Sequence, residues 1–268
     1  LNLPTNPVDH VPGAPMLPKS NVQARKLDFI LLGAQKSGTT ALHSFLQKHP
    51  DITMGDQQEM HFFDDEQIFA RPVDYELLHN HFRRIGSFAV AGECTPSYLY
   101  WKPAAERIRE YKAEIKLLVL LRNPIDRAFA HWNMQRFKKR EPLDFLDAIR
   151  EERTRIASPL SLAARRFSYM DRGFYSSQLK HYFSLFSQEQ FKITRFEDFG
   201  SRPLETVNSI FSFLGVKPMK FVRSKDHNVV PYERQMTPPE RRELLRIFAD
   251  EIEELERLLG WDCSDWKR

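Results

Sequence analysis

The sequence of 268 residues holds only two cysteines, Cys94 and Cys263. Two thiols make neither a disulfide framework nor a zinc-ligand pattern. They fit a reducing compartment, with room for one disulfide at most. No hydrophobic run approaches the roughly 20 residues that span a bilayer, and no secretory signal is visible. A cytoplasmic location without a membrane span is therefore expected. There is no arginine-rich tail and no basic stripe interleaved with aromatics. The net charge of +4 and the pI near 9.0 then suit an enzyme of a polyanionic nucleotide as well as they suit a nucleic-acid binder, and no nucleic-acid partner is expected. No internal repeat is found. The first residue is Leu1, not methionine, as in a segment excised from a longer chain.

What is present is enough for a substantial core, with 21 phenylalanines, and one domain is the simplest count. Residues 1–23 carry Pro4, Pro7, Pro12, Pro15 and Pro18 without periodicity. They read as a linker to an upstream domain or as an arm lying on their own domain. Residues 24–268 read as the single domain. Within it, the apolar residues Leu27, Phe29, Ile30, Leu31 and Leu32 predict a buried strand. FAVAGE at 88–93 predicts a second, Ile115–Leu121 a third and Gln190–Phe199 a fourth. Helical periodicity falls between and after them, at 41–46, 75–85, 106–114, 126–140, 173–186 and 203–214. One or two helices are expected in 142–166, with a mobile connection able to cover a site. Thr237-Pro-Pro-Glu240 is a capping box that opens a last helix ending at Gly260. Strands alternating with helices predict an α/β fold: a P-loop-like central parallel β-sheet flanked by helices on both faces.

Between the first strand and helix lies Gly33-Ala-Gln-Lys-Ser-Gly-Thr-Thr40. Backbone N–H groups converge in such a loop and the helix dipole favours an anion there. The G-x-x-x-x-G spacing matches a nucleotide-triphosphate loop, but Thr39-Thr40 stand where that motif needs Lys-Ser or Lys-Thr. The lysine is inside the loop, at Lys36. An ordinary ATPase, GTPase or nucleotide kinase is disfavoured.

Q-K-S-G-T-T-A-L after a hydrophobic strand resembles the 5′-phosphosulfate loop of sulfotransferases that use 3′-phosphoadenosine 5′-phosphosulfate (PAPS). Further segments resemble the same family. LRNPIDRAFA at 121–130 is similar to its 3′-phosphate segment, which implies that Arg122 binds the 3′-phosphate; the serine expected eight residues later is Ala130. Glu59-Met-His-Phe-Phe63 resembles the K-E-x-H-F-F segment of the heparan-sulfate-type and bacterial branch, which implies Glu59 as catalytic base, with Gln58 where the lysine usually stands. His61 would then orient the acceptor, share the proton transfer or serve the loop. Gly92–Tyr98 resembles G-E-x-[ST]-P-x-Y; Glu93 would contact the acceptor, hold a Lys or Arg, or anchor a core turn. Arg172–Tyr175 resembles R-G-x-Y near the nucleotide, and Ser224–Tyr232 occupies the position of the loop over the adenosine, with Lys225, His227, Asn228 and Tyr232 as contacts. Arg127 reads as structural, ion-paired near Asp126 or the sheet edge.

The resemblance, running from about Leu27 to Trp261, implies sulfuryl transfer from PAPS to an acceptor hydroxyl without a metal. Glu59 would take the proton. Lys36 would meet charge on the bridging oxygen. Ser37, Gly38, Thr39 and Thr40 would hold the 5′-phosphate, beside Tyr175. A related group sits inside cyanobacterial polyketide or olefin synthases, which implies as one acceptor a β-hydroxyacyl chain on an acyl carrier protein, with a thioesterase nearby. A glycan or small metabolite is the alternative acceptor. A non-catalytic anion-binding module is the alternative of another class.

Overall fold

The computed structural model describes residues 26–82, 90–158, 160–220 and 231–268. The proline-rich segment 1–23 and the expected contacts Lys225, His227 and Asn228 lie outside the described residues. In chain order the elements are β1 (Phe29–Gly33), α1 (Thr39–Gln47), β2 (Ile52–Met54), α2 (Glu66–Phe69), α3 (Glu76–His79), β3 (Val90–Cys94), α4 (Lys102–Tyr111) and β4 (Lys116–Leu121). Then follow α5 (Pro124–Phe137), α6 (Phe145–Arg155), α7 (Leu162–Phe167), α8 (Tyr175–Phe183), β5 (Phe191–Arg195), α9 (Phe196–Ser201), α10 (Pro203–Leu214) and α11 (Pro238–Leu259).

The strands form one parallel sheet in the order β2-β3-β1-β4-β5. Every residue of β1 is buried, as in a strand covered on both faces. Successive side chains go to opposite faces. Ile30 and Leu32 join Leu117, Val119 and Leu121 under α4, α5, α8 and α11. Phe29 and Leu31 join Leu118 and Leu120 under α1 and α10. The expected α/β architecture with helices on both faces is therefore present.

The order places β1 between β3 and β4, so the direction of winding reverses there. The loops leaving β1, β3 and β4 therefore emerge side by side at the strand C-termini, the end at which open α/β sheets bind ligands. Local signals set the turns. The Asn123 side chain accepts a hydrogen bond from Ile125 N at 3.0 Å and Pro124 opens α5, so the chain turns into a helix immediately after Arg122. The Thr237–Glu240 capping box and the left-handed Gly215 and Gly260 end-caps form as expected.

Several expectations are corrected. The stretch 190–199 is only half strand: β5 ends at Arg195 and α9 starts at Phe196, because Phe191 and Ile193 pack against one core cluster while Phe199 enters the other. Residues 75–82 form two short helical pieces, α3 and a 3-10 turn. Ile52–Met54, which carried no strand expectation, pairs with β3 at the sheet edge. Arg127 is not ion-paired to Asp126. Its guanidinium is fully buried and donates to the Tyr169 carbonyl, while Asp126 pairs with Arg241 at 2.9 Å. Both cysteines are free and buried.

Candidate active site

The loop after β1 is shaped by two glycines. A Cβ on Gly33 would lie 2.8 Å from the Pro96 carbonyl oxygen, so only glycine lets the β3 turn approach the loop this closely. Gly38, at φ 86, is the N-cap of α1, and a Cβ there would lie 2.8 Å from the Phe196 ring. No side chain caps α1 and its first turn holds no acidic residue. The positive end of the helix dipole thus stands uncompensated at this end of the sheet. Ser37 and Thr39 are buried in the loop, and Thr40 is half-buried.

Lys36 sits at the apex with φ 69. Its ammonium is pushed below the ordinary lysine value, by burial first and then by the positive charges of Arg122 and Lys138; Glu59 acts in the opposite sense. Arg122, at the end of β4, donates from Nη1 to the Lys36 carbonyl at 3.2 Å, and its guanidinium packs 4.9 Å from the Phe196 ring centre. Lys36 and Arg122 repel one another beside the α1 N-terminus, Lys138 adds to that repulsion, and a polyanion relieves it. The donor set fits a phosphosulfate and a second phosphate. Tyr175 is fully buried and donates from its phenol to the Arg122 carbonyl at 3.1 Å, so it stands behind Arg122. Tyr232 is exposed, its ring 5.7 Å from Phe129. Ala130 is buried and offers no hydroxyl.

Glu59 reaches this loop through the sheet. Leu31 of β1 is in register with Cys94 of β3, and Glu59 N donates to the Cys94 carbonyl at 3.0 Å. Neighbouring strands lie about 4.8 Å apart, so the loop holding Glu59 is hung one strand away from the loop holding Lys36. The Glu59 carboxylate bears on Lys36 and also on His43 of α1, whose imidazole burial holds low.

Around Glu59 the structure assembles a chain of groups. His61 Nε2 lies 3.8 Å from Glu59 Oε2, and His61 Nδ1 lies 3.0 Å from Asp64 Oδ2. Asp64 is fully buried. It accepts from Ser97 Oγ at 2.6 Å and from Arg165 Nη1 at 2.7 Å, and its carbonyl accepts a second Arg165 bond. The hydrogen bond to Asp64, then that to Glu59, raises the His61 imidazole to about 9, so it is an imidazolium near neutrality. Burial works against the Asp64 charge, but the hydrogen bond and charge of His61, with Ser97 and Arg165, hold its carboxyl down at about 2. Glu59 and His61 both occupy the left-handed region, at φ 56 and 54. Such positions cost roughly 1–3 kcal/mol each and persist only when the surroundings enforce them.

The structure thus brings Lys36, Ser37, Gly38, Thr39, Thr40 and Arg122 together where the loops after β1 and β4 meet, and hangs Glu59 and His61 on the neighbouring loop at the end of β3. Sequence reasoning missed Asp64, Ser97, Arg165 and Phe196. The only local signal for Asp64 was a polar residue directly after the buried Phe62-Phe63 pair. Glu93 is buried, pairs with no lysine or arginine among the described residues, and accepts a hydrogen bond from Thr95 Oγ1 in the turn after β3 at 2.9 Å.

The sequence signature described as "Sulfotransferase domain" matches residues 26–231. A solved sulfotransferase from Alicyclobacillus acidocaldarius is 30% identical, covering 91% of this chain and 100% of that one, with a TM-score of 0.78. Human heparan sulfate glucosamine 3-O-sulfotransferase 6 is 30% identical over 211 residues, 78% of this chain and 58% of that protein. Mouse SULT7A1, solved with PAP, shares the fold at 15% identity, with a TM-score of 0.53 over 87% of this chain and 86% of that one. The chain spans less than two thirds of the length of the first curated relatives it matches. With the loop, the arginine and the carboxylate gathered at one end of the sheet, the chain belongs to the sulfotransferase domain family, whose members draw their sulfuryl group from PAPS.

Proposed function

We propose that this domain transfers the sulfuryl group of PAPS to an acceptor hydroxyl with Glu59 as general base. PAPS, when bound, supplies an electrophilic sulfur whose leaving group is 3′-phosphoadenosine 5′-phosphate. The backbone of Ser37–Thr40, the Thr39 and Thr40 hydroxyls and the α1 N-terminus hold the 5′ phosphosulfate. Arg122 holds the 3′-phosphate. Lys36 meets the charge that grows on the bridging oxygen as its bond to sulfur breaks. Glu59 receives the acceptor's proton as the new S–O bond forms. The imidazolium of His61, anchored by Asp64 and 3.8 Å from Glu59 Oε2, orients the Glu59 carboxylate. General-base assistance of this kind is worth about 10²–10⁴ in rate, and the remainder comes from positioning and charge stabilisation.

What supports this reading is that Glu59 is hung from the Cys94 carbonyl one strand from β1, near enough to Lys36 for its charge to oppose the lowering of the lysine. The acceptor is proposed to be a hydroxyl of a glycan or a similarly polar molecule. What supports this is that the side chains of Glu59 and His61 are 45% and 48% exposed. A β-hydroxyacyl chain delivered by an acyl carrier protein calls for a narrower, more apolar channel. Glu59→Gln tests the assignment. Calorimetric affinity for 3′-phosphoadenosine 5′-phosphate should stay near wild type while sulfuryl transfer falls about 10²-fold or more. Turnover equal to wild type removes Glu59 as the base.

A further inference from the structure

The turn after β3 holds the loop bearing Glu59 and His61 at four points. Glu59 N donates to Cys94 O at 3.0 Å, His61 N to Thr95 Oγ1 at 3.3 Å, Phe63 N to the Tyr98 hydroxyl at 3.2 Å, and Ser97 Oγ donates to Asp64 at 2.6 Å. The first two fix the residues whose backbone sits at positive φ. Thr95 can hold His61 N only if its hydroxyl proton points elsewhere, and it points to Glu93 Oε2 at 2.9 Å. A hydroxyl has one proton. Glu93 therefore sets the direction of the Thr95 hydroxyl and leaves its lone pair for His61.

We propose that Glu93 is a positioning residue of the sulfuryl-transfer site, acting through the Thr95 hydroxyl on the backbone of His61 and so on Glu59. This rests on the reading of Glu59 and His61 given above. The carboxyl of Glu93 is 1% exposed, meets no Lys or Arg, and has one oxygen, Oε1, without a hydrogen-bond partner among the described residues. The groups that face it are the Asp64 carboxylate and the His61 imidazolium of the catalytic loop, the Tyr98 phenol and Cys94 thiol of its own segment, Tyr111 of α4 and Tyr182 of α8. Burial raises its carboxyl to about 7, and the nearby Asp64 charge adds to that. The folded state therefore retains the proton over a range in which the unfolded chain, at an ordinary carboxylate value, has lost it. That makes the folded state lose stability as pH climbs from 4.5 through about 7. Glutamine in this place keeps the acceptor for Thr95 and removes the titration.

The test compares Glu93→Gln, Glu93→Ala, Thr95→Ser and Thr95→Val by kcat, by calorimetric affinity for 3′-phosphoadenosine 5′-phosphate, and by Tm across pH. Glu93→Ala and Thr95→Val should lower kcat about tenfold or more, the scale of one buried unpaired polar group, with nucleotide affinity within about twofold of wild type. Glu93→Gln and Thr95→Ser should restore most of the lost kcat. The Tm of Glu93→Gln should gain on wild type steadily between about pH 5 and about pH 8. Folded Glu93→Ala with wild-type kcat, or Glu93→Gln impaired as deeply as Glu93→Ala, overturns the proposal. The NMR shift of the His61 backbone amide, recorded in the same variants, reads the relay without reference to turnover. If Glu59→Gln proves fully active, an amide shift in Glu93→Ala that Glu93→Gln reverses still supports Glu93 as the residue that sets this loop, and an unmoved amide overturns it.

Discussion

Asp64→Asn isolates the group that makes His61 a cation. Wild-type Asp64 has its carboxyl at about 2 against an unfolded value of 3.8. That difference of nearly two units, at 1.36 kcal/mol each, corresponds to about 2 kcal/mol in favour of the charged form. The His61 shift reports largely the same bond, so the two are not summed. The amide cannot match the charge of Arg165, which then faces a buried neutral partner. Breaking a buried pair in this way costs about 3–5 kcal/mol. His61, deprived of its strongest partner, should titrate back toward its ordinary 6.5. Loss of a charge-assisted hydrogen bond of about 1.5–3 kcal/mol translates into a kcat reduced about ten- to 150-fold, with nucleotide affinity preserved. The pH dependence carries the sign. The Asp64 contribution to stability is present above 3.8 and vanishes as pH falls through about 2. The His61 contribution is present below 6.5 and vanishes as pH rises through about 9. Wild type should therefore lose stability between these last two values, and Asp64→Asn should lose much less. His61 can be followed by NMR, stability by urea unfolding, and turnover by release of 3′-phosphoadenosine 5′-phosphate. If His61 in Asp64→Asn still titrates near the wild-type value and kcat is unchanged, the Glu59–His61–Asp64 chain is not the working unit.

Two further outcomes follow from the nucleotide side. Arg122→Ala should weaken 3′-phosphoadenosine 5′-phosphate by about tenfold or more, at about 1.5–3 kcal/mol for a hydrogen bond to a charged group, and adenosine 5′-phosphosulfate much less; equal weakening of both would mean that Arg122 does not meet the 3′-phosphate. Gly38→Ala puts a side chain at φ 86 and against the Phe196 ring. It should cost about 2 kcal/mol, roughly 4–8 °C in Tm, and thermal unfolding reads it directly.

The sequence on its own determined the parts whose information is local. A strand such as Ile115–Leu121 must be apolar throughout because both its faces are covered, and that pattern is legible in a window of seven residues. The glycines at 33 and 38, the lysine between them and the capping box at 237–240 act over a few bonds, so their spacing already states their chemistry. Glu59 was nameable only because its short segment resembles that of known enzymes. Tertiary structure alone decided what surrounds it. Asp64 meets Ser97 and Arg165 across separations of 33 and 101 residues, pairings that follow from strand order and helix packing and leave no periodic trace. It also decided that Tyr175 stands behind Arg122, that Arg127 is buried without Asp126, and that Phe196 leaves the β5 strand to lie against both Gly38 and Arg122. Apolar pattern encodes which side of an element is buried, whereas the partner of a buried polar atom is fixed only when distant segments are brought within about 3 Å of it.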